Sequence, residues 1–191
     1  MKLRMFALAA LLALPAGATH ADGVVQKLMT PADKVRLDHH DDTRKAALAE
    51  TADGNAAEAE QLDILLGKPV LPLADFNLGG DWQCRTIKAG GLAPLVVYDW
   101  FKCRVSDDGS GWRLDKLSGS QRTTGRFYDD GEKRMIYLGS FFVAGDAPKP
   151  YGSGPETDQI GYAFRTGPAA CRIEFPVPRY ESKLDILEFR R

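Results

Sequence analysis

Three cysteines and three histidines in 191 residues leave little material for thiol or metal chemistry. No Cys-x-x-Cys pair occurs, so the usual thiol–disulfide exchange motif is excluded, and no glycine-rich phosphate loop is present. His20 lies in the leading apolar segment and His39 and His40 are adjacent, so a Ser-His-acid triad has almost nothing to draw on. Gly152-Ser153-Gly154 lacks the strand and helix of a nucleophile elbow. In His39-His40-Asp41-Asp42 the first and last residues share a helix face, but no third or fourth ligand is spaced nearby. That run reads as an exposed polar face, and no metal or cofactor is expected. Asp99, Glu174, Asp185 and Glu188 have no spacing that pairs any two of them for acid–base work. Charge of one sign is not in excess, at 25 Lys and Arg against 26 Asp and Glu. A near-balance gives no electrostatic case for nucleic acid or an anionic membrane. No run after the first residues approaches the ~18 uncharged apolar residues of a membrane helix.

What is present begins with MKLRMFALAALLALPAGATHA: two basic residues, an apolar run from Met5 to Leu14, then small residues with candidate cleavage sites after Ala18 and Ala21. This is the layout of a secretory signal over residues 1–21, and it places the mature chain in the periplasm or outside the cell. Residues 22–77 are polar and alanine-rich. Thr30-Pro31 opens a helix expected to run to about Ala49, Asp53-Gly54-Asn55 breaks it, and Ala56 to Gly67 reads as a second, shorter helix. A proline-punctuated linker follows, and this extension is expected to be separable from residues 78–191.

From Asp81 the apolar period changes from about 3.6 to 2, with turn signals every 8 to 12 residues. Eight strands are expected, beginning near Asp81, Leu95, Trp112, Gln121, Arg134, Gln159, Ala170 and Leu184. Eight sequential antiparallel strands can close as an up-and-down barrel, which removes exposed edges. The first two strands carry Cys84 and Cys103. Opposing those cysteines sets Trp82 against Val105 and puts Trp82, Cys84, Phe101, Cys103 and Val105 on one apolar face, with Cys171 left as a buried thiol. An oxidising compartment permits the Cys84–Cys103 bridge, although spacing alone leaves the other two pairings open. Asp130-Gly131 predicts a type I′ hairpin between the fourth and fifth strands. That register faces Phe127, Ile136, Leu138 and Arg134 inward, and Tyr128, Met135 and Tyr137 outward.

GDWQCRTIK, PLVVYDWFKCRV, GSQRTTGRFYDDGEKRMIYLGS, DQIGYAFR, CRIEFPVP and YESKLDILEF together resemble a bacterial domain-of-unknown-function family, number 4893, over about Gly79 to Phe189. The family has no assigned activity, so the resemblance carries over no catalytic residue. Cys171 departs from it, standing where an aromatic residue is expected. More loosely, Gly80-Asp81-Trp82 resembles the opening of lipocalin-like barrels and of small periplasmic metalloprotease inhibitors, which carry an N-terminal segment before an eight-stranded barrel with an early disulfide.

Candidate sites are therefore sought on the barrel. The same register opposes Lys88 to Asp99 on the disulfide-bearing face: a rim salt bridge is the plainer reading, a polar end to a ligand cavity the sharper one. With Arg134 and with Tyr151, the one aromatic of the long Gly145–Glu156 loop, these form the candidate ligand site, and the loop is its expected lid. Tyr98, Trp100, Tyr128 and Tyr137 are expected outward, as packing sites for the helices or as a partner surface. The reading is an all-β, eight-stranded, lipocalin-like barrel with an N-terminal helical extension. It acts as a non-enzymatic binding or structural protein for a small apolar ligand or a protein partner. A protease-inhibitor-like use of the N-terminal segment is the alternative; a hydrolase would need a constellation the sequence does not contain.

Overall fold

In a computed structural model, residues 22–191 are described; the expected export signal, residues 1–21, lies outside them. Four helices come first: α1 (Asp22–Leu28), α2 (Pro31–Asp38), α3 (His40–Glu50) and α4 (Ala56–Leu66). Two starts follow local chemistry. The Asp33 N–H donates to Thr30 Oγ1 at 3.2 Å with Pro31 in the first turn of α2, and Asn55 Oδ1 accepts from the N–H groups of Ala57 and Glu58 at the start of α4. The single helix expected over Pro31–Ala49 is instead two, parted at His39. Its halves dock on different patches of a curved wall. Leu37 packs with Val25, Ile136, Leu138 and Ile160, whereas Ala47 packs with Ile87, Ala89, Leu184 and Ile186. One straight helix cannot follow both.

The strands are β1 (Gly80–Gly91), β2 (Leu95–Val97), β3 (Phe101–Asp107), β4 (Trp112–Lys116), β5 (Gln121–Asp129), β6 (Met135–Val143), β7 (Asp158–Gly167), β8 (Ala170–Pro176) and β9 (Ser182–Arg190). Antiparallel neighbours run in order from β3 to β9, with β1 beside β3. β9 returns to β1 in a register from Gln83↔Arg190 to Gly91↔Ser182, closing eight strands into a barrel. β2 is the extra, ninth strand. It and β3 come from the one strand expected over Leu95–Val105, which leaves the ladder at Tyr98–Trp100 and rejoins it.

The two cysteines are bridged, with their Cα atoms 5.9 Å apart, and Cys171 is a buried free thiol. The register differs by two residues from the expected one: Cys84 lies opposite Phe101 and Trp82 opposite Cys103, so the bridge is diagonal. A shift of two preserves faces. Trp82, Cys84, Cys103 and Val105 therefore still point into one buried cluster with Phe127, Phe175 and Phe189. At that end the barrel is sealed. Phe76 and Leu78 of the linker fold under it, and Trp82 Nε1 donates to the Leu78 carbonyl at 2.8 Å.

The β5–β6 hairpin departs by an odd number. Asp129 pairs with Met135 and Phe127 with Tyr137, so the loop spans Asp130–Arg134 rather than a two-residue Asp-Gly turn. An odd shift exchanges the faces of β6. Met135 and Tyr137 enter the barrel, and Ile136 and Leu138 face out beneath α1 and α2. Tyr137, expected outward, is fully buried, its hydroxyl 2.7 Å from Thr123 Oγ1. Gly125 and Gly139 flank its ring on the inner wall, where any Cβ would strike it. Arg134, expected inward, lies outside. It pairs with Asp130 at 2.6 Å and stacks 3.9 Å over the Tyr162 ring.

The helices pack against the outer wall of the barrel. Val25, Ala47, Leu62 and Leu65 are all at most 1% exposed against the outer wall. Ion pairs add to this. Glu174 on β8 receives Arg172 at 2.7 Å and Arg44 of α3 at 3.0 Å, while Glu188 on β9 receives Arg85 at 2.7 Å and Lys68 at 3.0 Å. His40, expected on an exposed face, is buried with Nε2 3.2 Å from Glu174. Burial works to raise the Glu174 pKa, but His40 and the charges of Arg172 and Arg44 outweigh it and hold the carboxyl down at about 2. A chain beginning at Ala74 would expose the apolar outer faces of β1, β6 and β9, and it should aggregate or fail to melt cooperatively in calorimetry; a sharp transition would mean the barrel stands without its helices. Separately, replacing both Cys84 and Cys103 by Ala should cost about 3 kcal/mol in denaturant titration, because the bridge closes a loop of 19-residue separation in the unfolded chain.

Candidate functional site

Period 2 along β1 sends Trp82, Cys84, Thr86 and Lys88 inward in succession, so this one strand runs from the sealed apolar end to a polar one. Neighbouring strands do the same. Leu114 is followed inward by Lys116 on β4, Thr123 by Gln121 on β5, and Leu187 by Asp185 on β9. These residues line a cavity of about 50 Å³ at the upper mouth, with Phe141, Phe175 and Gln159 across from them. A second cavity of about 90 Å³ shares Thr86, Lys116 and Gln121 and lies beside Tyr98 and Phe101, where the chain leaves the ladder between β2 and β3. The first alone has room for about four waters.

The mouth is charged. Lys88 sits in register with Asp185 across β1–β9, and its Nζ donates to Glu181 at 2.8 Å. Lys88 therefore pairs with Glu181 of the β8–β9 connection, and not with Asp99. Asp99 is exposed on the irregular Tyr98–Trp100 segment, because Val96, and not Asp99, is the residue opposite Lys88. Asp185 Oδ1 accepts from Ser182 Oγ at 2.5 Å. Burial pushes the Asp185 carboxyl up to about 6, against the pull of Lys88 and the Ser182 hydroxyl. Lys116 is 6% exposed and its Nζ donates to Thr86 Oγ1 at 3.3 Å while lying 4.6 Å over the Phe101 ring. Burial lowers its pKa to about 8, with Lys88 and Arg122 adding repulsion and Asp185 opposing them.

The rim is not the expected lid. Pro178, Arg179 and Tyr180 of the β8–β9 connection edge the mouth, with Tyr180 stacked 5.4 Å from Phe141. The 145–156 loop turns outward instead. Tyr151 accepts from the Thr30 N–H at 3.1 Å and donates to Asp33 at 2.8 Å, pinning the loop to the start of α2, and its one tie to the rim is the Glu156–Arg179 ion pair. A larger groove of about 600 Å³ lies between this loop, α1 and the outer wall. Its arginines are already engaged, Arg126 with Asp108 and Arg113 with Asp115.

Of the four expected ligand residues, then, the structure brings only Lys88 to the mouth. Tyr98, Trp100, Tyr128 and Tyr137 do not form one surface. Tyr98 borders the smaller cavity, Trp100 is held between Arg85 at 4.7 Å and Arg190 at 3.8 Å, Tyr128 packs beside Leu37 and Tyr137 is internal. The mouth also holds Lys116, which no motif singles out, and Asp185, which in the sequence is only a carboxylate without a spaced partner. Lys116 was accessible to period-2 reasoning, two residues beyond the inward Leu114, whereas Asp185 is masked by Leu184 and Ile186, which look like core and pack outward under α3.

Because the Asp185 pKa is raised in the folded state, the group favours folding while protonated and that contribution is lost as pH rises from about 4 to about 6. Asp185→Asn should therefore stabilise the protein at pH 7 by about 1–3 kcal/mol and by much less at pH 4. Thermal melts at the two pH values check this; an equal effect at both would show that the carboxyl is not desolvated.

Among the described residues no helix is long and apolar enough to cross a membrane. A search of curated proteins and a search of solved structures each found no match. A family model matches residues 25–189, from the first turns of α1 to the end of β9. With helices, linker and barrel all inside that match, the chain belongs to the family described as Domain of unknown function (DUF4893).

Proposed function

We propose that this is an exported, non-enzymatic binding protein that takes a small ligand into the upper mouth of its barrel, as lipocalin-like carriers do. The observation that carries the reading is the division of the interior. One end is filled by aromatic side chains and a disulfide, while the other holds cavities walled by Thr86, Lys88, Lys116, Gln121 and Asp185. Buried charge is costly to fold around, and a fold that needed only stability would carry apolar residues there. The Cys84–Cys103 bridge suits an oxidising compartment, periplasmic or external. The inhibitor-like alternative gains nothing from residues 22–66, which lie on the outer wall and not at a free end.

The test is to fill the cavity. Thr86 borders both cavities, so Thr86→Phe should occupy them without touching the sealed end. Wild-type protein purified from its exported fraction and then denatured should release a small molecule at about one per chain, and the filled variant, shown to melt normally, should release none. Gln121→Phe gives a second version should the first not fold. Equal release from wild-type and filled proteins, or none from either, would sink the reading.

A further inference from the structure

Lys116 is the odd group of the mouth. Lys88 is matched by Glu181 and faces Asp185, whereas no carboxylate among the described residues lies within ion-pair distance of Lys116. Its ammonium has one neutral hydroxyl and one ring face as partners. A second polar group of the same cavity is also unmatched: Gln159 Oε1 is buried without a hydrogen-bond partner. Buried polar groups in folded proteins almost always have partners, so the lysine marks a place where something else supplies one, and the Gln159 amide, turned about its last torsion, can present its NH2 group to the same volume.

The charge and the walls narrow what that is. The mouth and its rim hold four cations, Lys88, Lys116, Arg122 and Arg179, against three carboxylates, Asp185, Glu181 and the Glu156 that pairs with Arg179, an excess of one positive charge. A dianion would overshoot this and meet Asp185. Beside these charges and the hydroxyls and amides of the lining stands an apolar patch from Phe141, Phe175, Leu187 and Pro178. Resting on the reading of the mouth as a ligand site, we infer that the ligand is a short organic monocarboxylate, its carboxylate on the Lys116 ammonium and its apolar body against Phe141, Phe175 and Leu187. Inorganic phosphate offers charge without a body to bury, and a neutral alcohol offers a body without charge. Lys116 must be protonated to hold the anion, so affinity is kept below the lysine pKa and lost as pH rises through it, from about 8 upward.

The experiment is a nuclear magnetic resonance titration of the full mature chain with sodium butanoate, butan-1-ol and inorganic phosphate, following the amides of residues 86, 116, 121 and 185. Butanoate should bind wild type roughly tenfold to a hundredfold more tightly than the alcohol, the range expected when a charge-assisted hydrogen bond forms in a desolvated site. Phosphate should be weaker than butanoate. Lys116→Gln and Lys116→Met should lose the preference for the acid while melting no lower than wild type, since each removes an unpaired buried charge. In wild type the preference should fade between pH 7 and pH 10. Equal binding of acid and alcohol, or an unchanged preference in both Lys116 variants, would overturn the carboxylate assignment and leave the cavity reading standing. Tighter binding of phosphate than of butanoate would overturn the apolar half. Failure of every probe to move the four amides would remove both this inference and the reading it rests on.

Discussion

The pairing of β1 with β9 from Gln83 to Gly91 closes the barrel, and the alternation along those two strands sets almost everything else. Inward, β1 offers Trp82 and Cys84 to a packed end, then Thr86 and Lys88 to a polar mouth, and β9 answers with Phe189 and Leu187, then Asp185. Outward, Ile87 and Ala89 join Leu184 and Ile186 as the floor on which α3 and α4 lie. A slip of one residue would turn Arg85 and Glu188 into the barrel and Leu187 and Phe189 out of it, so the closure register is strongly specified from both sides of the sheet at once.

Burial on both faces explains the role of the helices. An antiparallel barrel in water normally shows a polar outer wall, yet six of the seven residues of β8, six of the nine of β6 and five of the nine of β9 are buried, on both faces of the sheet. The helices supply the second apolar layer, and the charged groups between the layers are paired: Glu174 with Arg172 and Arg44, Glu188 with Arg85 and Lys68. Breaking one partner of such a buried pair is costly, because the other is left charged and dry. The helices are thus held to the wall both by apolar contact and by charges that have nowhere else to go.

The mouth obeys the opposite logic. There the barrel carries a buried lysine with no carboxylate beside it and an aspartate whose carboxyl is pushed up to about 6. Both departures lower stability at neutral pH, and both stand at the one end of the interior that is not filled. Two residues of the connection that edges this end, Val177 and Glu181, have positive φ of 47° and 70°, a conformation that non-glycine side chains resist. Strain, a buried charge without a carboxylate and empty volume coincide at this mouth.

Much of the architecture was legible in the chain itself. The change of period near residue 80, the turn residues between strands and the matching faces of Cys84 and Cys103 pointed to the class, the closed count of eight and the favoured cysteine pairing, because these depend on local geometry and on alternation, which a shift of two residues does not disturb. The helix start at Thr30-Pro31 was equally local. What the tertiary structure alone decided is which face of a doubly apolar strand points inward. β6 reads Met-Ile-Tyr-Leu, with no polar residue to mark its outer side, so an odd change in the length of the Asp130–Arg134 loop exchanged Tyr137 for Ile136 without leaving a trace in composition. The same ambiguity hid Asp185 among outward-facing leucine and isoleucine, and the break at Tyr98–Trp100 left Lys88 to pair with Glu181 of the β8–β9 connection in place of Asp99. Long-range pairing sets those contacts, and hydrophobic alternation cannot specify it where both sides of the sheet are dry.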